Sequence, residues 1–87
     1  AALIGAGNSR YALRNLSGSE QAFRQATEFH PTSIIGWNNL AEVLVELDRL
    51  PEALTASERA ASLDGPNQAA AQETLTAIRK KIADRNK

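Results

Sequence analysis

The feature that most limits what this chain can fold into is its self-similarity at an offset of 34 residues. Ala6 pairs with Leu40, Gly7 with Ala41, Leu13 with Leu47, Leu16 with Leu50, Ala22 with Ala56, Ala26 with Ala60 and Phe29 with Leu63. A period in this range marks a supersecondary unit that cannot bury its apolar face alone and does so by stacking on its neighbour. Inside each copy the apolar and small residues step by three or four. Trp37, Leu40, Ala41, Leu44 and Leu47 form one such series, and Ala53, Ala56, Ala60 and Leu63 form another. Each copy therefore reads as two amphipathic helices.

Turn signals divide the chain in the same way. Ser17, followed three residues later by Glu20, reads as a capping box, and Pro51 stands where a first helical position is expected. Pro31 ends the first copy and Gly65-Pro66 the second, while Thr32 or Ser33 caps the helix between them. These signals predict helices near residues 2–15, 18–30, 34–48, 51–63 and 67–85. In the last helix Ala71, Leu75, Ile78 and Ile82 form an apolar stripe, opposite a polar face of Gln68, Gln72, Glu73, Arg79 and Lys80. That pattern suits a helix that caps the open end of a stack.

Composition agrees and removes several function classes. The 87 residues make one small domain or a piece of a longer protein, and the opening lacks Met, which points to an excised or mature piece. Sixteen Ala and ten Leu against two Phe, one Trp and one Tyr favour closely packed helices. Without Cys there is no disulfide framework, thiolate site or cysteine nucleophile. Ten basic and ten acidic residues balance, which removes the footprint of a general nucleic-acid binder. No run approaches the roughly 18 apolar residues that a membrane span requires. Charge is uneven along the chain: residues 31–64 carry six acids and two bases, whereas 79–87 carry five bases and one acid. The basic end reads as cations favourable at a helix C-terminus, because no aromatic residue interleaves with them.

The stretch Trp37-Asn38-Asn39-Leu40-Ala41, then Leu44, Leu47, Leu50-Pro51-Glu52-Ala53, Ala60 and Leu63-Asp64, resembles one complete tetratricopeptide repeat. A less typical copy precedes it through Gly7, Leu13, Leu16, Ala22-Phe23, Ala26 and Pro31. The resemblance covers nearly the whole chain. It implies an all-α, right-handed stack of helical hairpins: repeat one at 1–33, repeat two at 34–66 and a capping helix at 67–87, five helices in all. Departures are Ser19 where the family has Ala, Ser57 where it is usually aromatic, and Leu3 where Trp is usual. Gly65 precedes Pro66 where the family has Pro one residue earlier, an expectation that the capping helix shifts register by one. Trp37 is expected to fill the wedge between repeats.

Catalytic and metal readings find little support. His30 is the single histidine and lies at a helix end before Pro31, without a second His or Cys to complete a metal site. Gly5-Ala6-Gly7 lacks the strand and the Lys-Ser/Thr of a phosphate loop, so helix packing explains Gly7. Asn15-Leu16-Ser17, formally a glycosylation acceptor, reads as turn chemistry. No enzyme and no cofactor are implied.

The surface left for function is the concave face, which the first helix of each repeat lines in this family. Helical geometry assigns it Ile4, Asn8 and Tyr11 from the first copy, and Ile35, Asn38, Asn39, Glu42 and Val45 from the second. The expected role is a protein-interaction module that takes a short extended peptide or a partner helix. Asn8 and Asn39 match positions that chaperone-tail-binding members use to hold a terminal carboxylate. Ile4 stands where their Lys would be and Glu42 adds negative charge, so a neutral or basic segment fits better than an acidic tail. Two other readings stand beside this one: a structural or self-associating spacer, pairing through the apolar edge of the first helix, and a C-terminal accessory segment of a larger bacterial enzyme such as a papain-like peptidase.

Overall fold

The computed structural model describes Ile4 and residues 15–86. Within them the chain forms four helices: α1 (Leu16–Phe29), α2 (Ile34–Glu46), α3 (Leu50–Ser62) and α4 (Gln68–Arg85). No strand occurs among the described residues. The boundaries fall within two residues of those expected for these four segments. The expected helix near 2–15 lies outside the described residues apart from Ile4.

Helix starts follow from side-chain acceptors for exposed backbone N–H groups. Asn15 Oδ1 accepts from Gly18 N at 3.0 Å, so α1 begins at Leu16 and the Ser17/Glu20 capping box does not form. Asn15 reaches the free N–H first, and Glu20 is drawn to arginines instead. Ser33 Oγ accepts from Gly36 N at 3.1 Å and starts α2. α3 opens with Pro51 in its first turn. At the far end of α3 the amides of Gln68 and Gln72 donate to the Ala61 carbonyl, so α4 covers part of the terminus that the preceding helix leaves open.

The α2–α3 turn is set by backbone chemistry that the pattern of apolar residues does not reveal. Asp48 holds φ at 61° while Asp48 N donates to Val45 O and Arg49 N to Leu44 O. This is a Schellman ending, with Asp in the left-handed position where Gly is usual. Asp48 also pairs with Arg85 of α4.

α2 is the central helix: it packs on α1, α3 and α4, and α3 packs on α4. One core cluster joins Phe23, Leu40, Ala41, Val43, Leu44, Ala53, Ala56 and Ile78, with Ile4 and Val45 partly buried against it. Ile4, expected on the concave face, is thus a packing residue. A second cluster joins Ile34, Ala60, Ala61, Ala71 and Leu75.

The buried positions themselves repeat. Ser19, Ala22, Phe23, Ala26 and Thr27 of α1 recur 34 residues later as Ala53, Ala56, Ser57, Ala60 and Ala61 of α3. Between α2 and α4 the return is partial: Ala41 and Leu44 recur as Leu75 and Ile78, whereas buried Leu40 and Val43 are followed by half-buried Thr74 and exposed Ala77. The register of α4 is therefore not shifted by the late Pro66. Gly65 brings the turn so close to Ile34 that a Cβ there would stand 3.1 Å from its Cδ1.

Trp37 is half-buried and does not fill a closed wedge. Its ring touches both clusters while its edge reaches the surface, where Nε1 donates to Pro31 O at 2.8 Å and the Arg59 guanidinium lies 5.9 Å from the ring centroid. α1 and α3 do not pack on one another. A closed ring of charges spans them. Arg49 donates to Glu20 at 2.6 Å and to Glu52 at 2.6 and 2.9 Å, and Arg24 donates to Glu20 at 2.7 Å and to Glu52 at 2.8 Å. The hydrogen bond from Arg49 holds the Glu52 carboxyl below the usual carboxylate range, and its bonds to Glu52 and then Glu20 hold the Arg49 guanidinium above its own.

Candidate functional site

At 3.6 residues per turn, each residue advances about 100° around α2. Ile34, Gly36, Leu40, Ala41, Val43 and Leu44 are buried on one side. Val45, Asn38, Glu42, Ile35, Glu46 and Asn39 occupy the complementary arc, about 120° wide, and none of them is fully buried. All five α2 residues expected from sequence thus share one face. Their environments differ. Ile35 is 44% exposed, Asn38, Asn39 and Val45 are half-buried, and Glu42 is exposed along its rim. Asn8 and Tyr11, the expected contributions of the first copy, lie outside the described residues.

The face is not flat. Glu42, Val45 and Glu46 of α2 form one wall of an open groove of about 250 Å³, and Thr74, Ala77, Ile78 and Lys81 of α4 form the other. Ile35, Asn38 and Asn39 continue the α2 wall on its N-terminal side. Sequence reasoning missed Glu46 and the whole α4 wall. Glu46 could have been found, because it lies one turn beyond Glu42 on the same arc. Thr74, Ala77 and Lys81 carry no local signal, since their place follows from how α4 lies along α2.

Two polar groups on this face are incompletely matched. Asn38 Oδ1 is buried without a hydrogen-bond partner among the described residues. Leaving a buried acceptor unpaired costs on the order of 1–3 kcal/mol, so such a group is uncommon in a region that only packs. Glu42 has neither an ion pair nor a hydrogen bond among the described residues, and its partial burial pushes the carboxyl above the usual range. The opposite case is the Glu20–Arg24–Arg49–Glu52 ring, in which each charge faces an opposite one.

Other chemistry is sparse. No group of three or more His, Asp or Glu suited to a metal ion occurs among the described residues. His30 ends α1 on the exposed surface, with its backbone N–H on Ala26 O. Among the described residues no helix is long and apolar enough to cross a membrane. Neither the family models nor the curated proteins compared with this chain include a match to it.

Proposed function

We propose that this chain is a pair of tetratricopeptide-type repeats closed by a capping helix, and that it serves as a non-enzymatic module for protein interaction. The observation that carries the reading is the open face of α2. Three partner helices cover the rest of that helix, and on the remaining arc none of Ile35, Asn38, Asn39, Glu42 and Val45 is fully buried, with Glu42 and Val45 lining a groove walled by α4. The return of the buried positions of α1 in α3 at an offset of 34, and of Ala41 and Leu44 as Leu75 and Ile78, supports the repeat reading. Such a groove offers apolar contact from Val45 and Ala77 and polar groups from Glu42 and Thr74, the mixture that an extended peptide needs.

Selection from an unbiased peptide library against the folded domain tests this reading. Selected peptides should lose binding to an Asn39→Ala, Glu42→Arg variant that keeps its helical circular dichroism. Peptides that bind both forms equally would move the interaction off this face, and a library that yields none would favour the structural spacer.

A further inference from the structure

From the turn between α3 and α4 we infer that Asp64-Gly65 is a self-modifying site, at which the folded chain converts Asp64 to isoaspartate without an enzyme or a cofactor. The inference stands apart from the reading of the α2 face.

The conversion needs a carboxyl group, the backbone nitrogen of the next residue free to attack it, and room around that nitrogen. The chain has aspartates at 48, 64 and 84. Asp48 is followed by Arg49, whose N–H is held by Leu44 O at 2.9 Å, and its carboxylate pairs with Arg85. Asp84 is followed by Arg85 inside α4, where the helical ladder takes the N–H. Asp64 is followed by glycine, which has no Cβ to crowd the attacking nitrogen. Both residues of the pair are exposed and lie outside the helices, and the Gly65 N–H makes no hydrogen bond among the described residues. The fold thus closes the sites at Asp48 and Asp84 and leaves the one at Asp64 open.

The step balances within the chain and water. Gly65 N attacks Asp64 Cγ, and a carboxyl oxygen leaves as water, taking the amide proton and, from the ionised form, a proton from solvent. The product is a succinimide ring that holds both carbonyls of Asp64 on the glycine nitrogen. Water then adds to one of those carbonyls. Opening at Cγ restores aspartate. Opening at the backbone carbonyl breaks the original peptide bond and leaves the chain running through Cγ, with the former backbone carbonyl as the free carboxylate. One water leaves and one enters, so mass and net charge do not change.

The isomer lengthens the main chain by one carbon where the turn has little room. A Cβ on Gly65 would stand 3.1 Å from Ile34 Cδ1, and Ile34 shares a core cluster with Ala60, Ala61, Ala71 and Leu75. Gly65 O also accepts from Gln68 N at 3.2 Å, at the start of α4. Displacing both contacts loosens the seat of α4.

The test incubates the folded domain, and an end-capped peptide spanning Ala60–Ala69, at neutral pH and below the unfolding transition. Methylation by protein isoaspartyl methyltransferase counts the product, and electron-transfer fragmentation locates it. Isoaspartate should form at Asp64 within about tenfold of the rate in the peptide, while Asp48 and Asp84 trail by more than about tenfold because their nucleophiles are hydrogen-bonded. Asp64→Glu, which would need a larger ring, should remove the signal. Asp64→Asn should react faster and show a mass gain, because ammonia leaves in place of the first water. Both substitutions are at an exposed turn, and circular dichroism checks that the variants fold. The isomerised fraction, separated by chromatography, should melt at a lower temperature than the parent. A folded rate more than about tenfold below that of the peptide, or Asp48 and Asp84 keeping pace with Asp64, would overturn the inference. An equal thermal midpoint for the isomerised fraction would overturn the loosening of α4 and leave the modification standing.

Discussion

The two faces of α2 are built from neighbouring residues in one sequence and meet opposite fates. On one face Leu40, Ala41, Val43 and Leu44 are almost wholly buried against α1, α3 and α4. On the other, Glu42, Val45 and Glu46 stand a single residue or two away and border an open groove. The first face is satisfied by the fold itself. The second carries an exposed carboxylate, Glu42, and a buried amide oxygen, Asn38 Oδ1, that lacks a hydrogen-bond partner among the described residues. The difference teaches that in a helix packed by three others the residues least committed to the core are the ones free to be selected for something else. It also predicts that substitutions on the two faces separate into stability effects and binding effects.

The sharpest way to break this division is at Leu44, which is 1% exposed in the larger cluster. Leu44→Ala should cost about 3–4 kcal/mol, within the range for truncating a buried leucine, and urea titration should find the domain close to its unfolding limit. A loss below about 1 kcal/mol would mean that the cluster is loosely packed. Trp37 comes next. Its half-exposed ring places Trp37→Ala at about 2 kcal/mol, below the range for a fully buried aromatic, with loss of the Nε1 bond to Pro31 included. A thermal midpoint moved by only a degree or two would assign the ring to the surface.

A smaller effect is expected at the ionic ring. Removing Arg49 leaves Arg24 as the single cation of the ring between Glu20 and Glu52. Glu52 has a folded-state value below its unfolded one, so its contribution is present above the usual carboxylate range and is lost as pH falls through the lower, folded value. Arg49→Ala should therefore destabilise less than Leu44→Ala, flatten the acid limb of the stability profile and remove part of its salt dependence. An unchanged acid limb would show that the ring contributes nothing.

Glu42 carries the opposite sign. Burial raises its value, so the folded state favours the protonated form and stability falls as pH rises from the unfolded toward the folded carboxyl value. Glu42→Gln should leave neutral-pH stability within about 0.5 kcal/mol of the parent, on the stabilising side, while it removes the pH step. A marked destabilisation would make Glu42 a structural residue and erase the contrast between the faces.

Much of this was legible in the chain, for reasons the residues make plain. The three-to-four spacing and the turn signals located α1 to α4 because apolar and small residues at helical spacing mark the side that each helix buries. The α2 stripe followed from helical angle alone. Asn15 displaced the expected Ser17 cap because a first-turn N–H takes whichever acceptor reaches it, and spacing does not rank two neighbouring candidates. Asp48 in a left-handed conformation has no apolar signature. The α4 wall of the groove, Thr74, Ala77, Ile78 and Lys81, depends on how two helices lie side by side, which a pattern along one chain does not encode. The pairing of Arg49 with Glu20, 29 residues apart, is hidden for the same reason.

The central claim is that the uncovered face of α2 is the working surface. A nitrogen–proton correlation titration of the labelled domain with a library-selected peptide tests it most directly. The account predicts saturable shifts at Ile35, Asn38, Asn39, Glu42 and Val45 and across the groove at Thr74, Ala77 and Lys81, with Ala22, Ala26, Ala56 and Ala60 unmoved. Saturable shifts centred on α1 and α3, or none on this face, would contradict it.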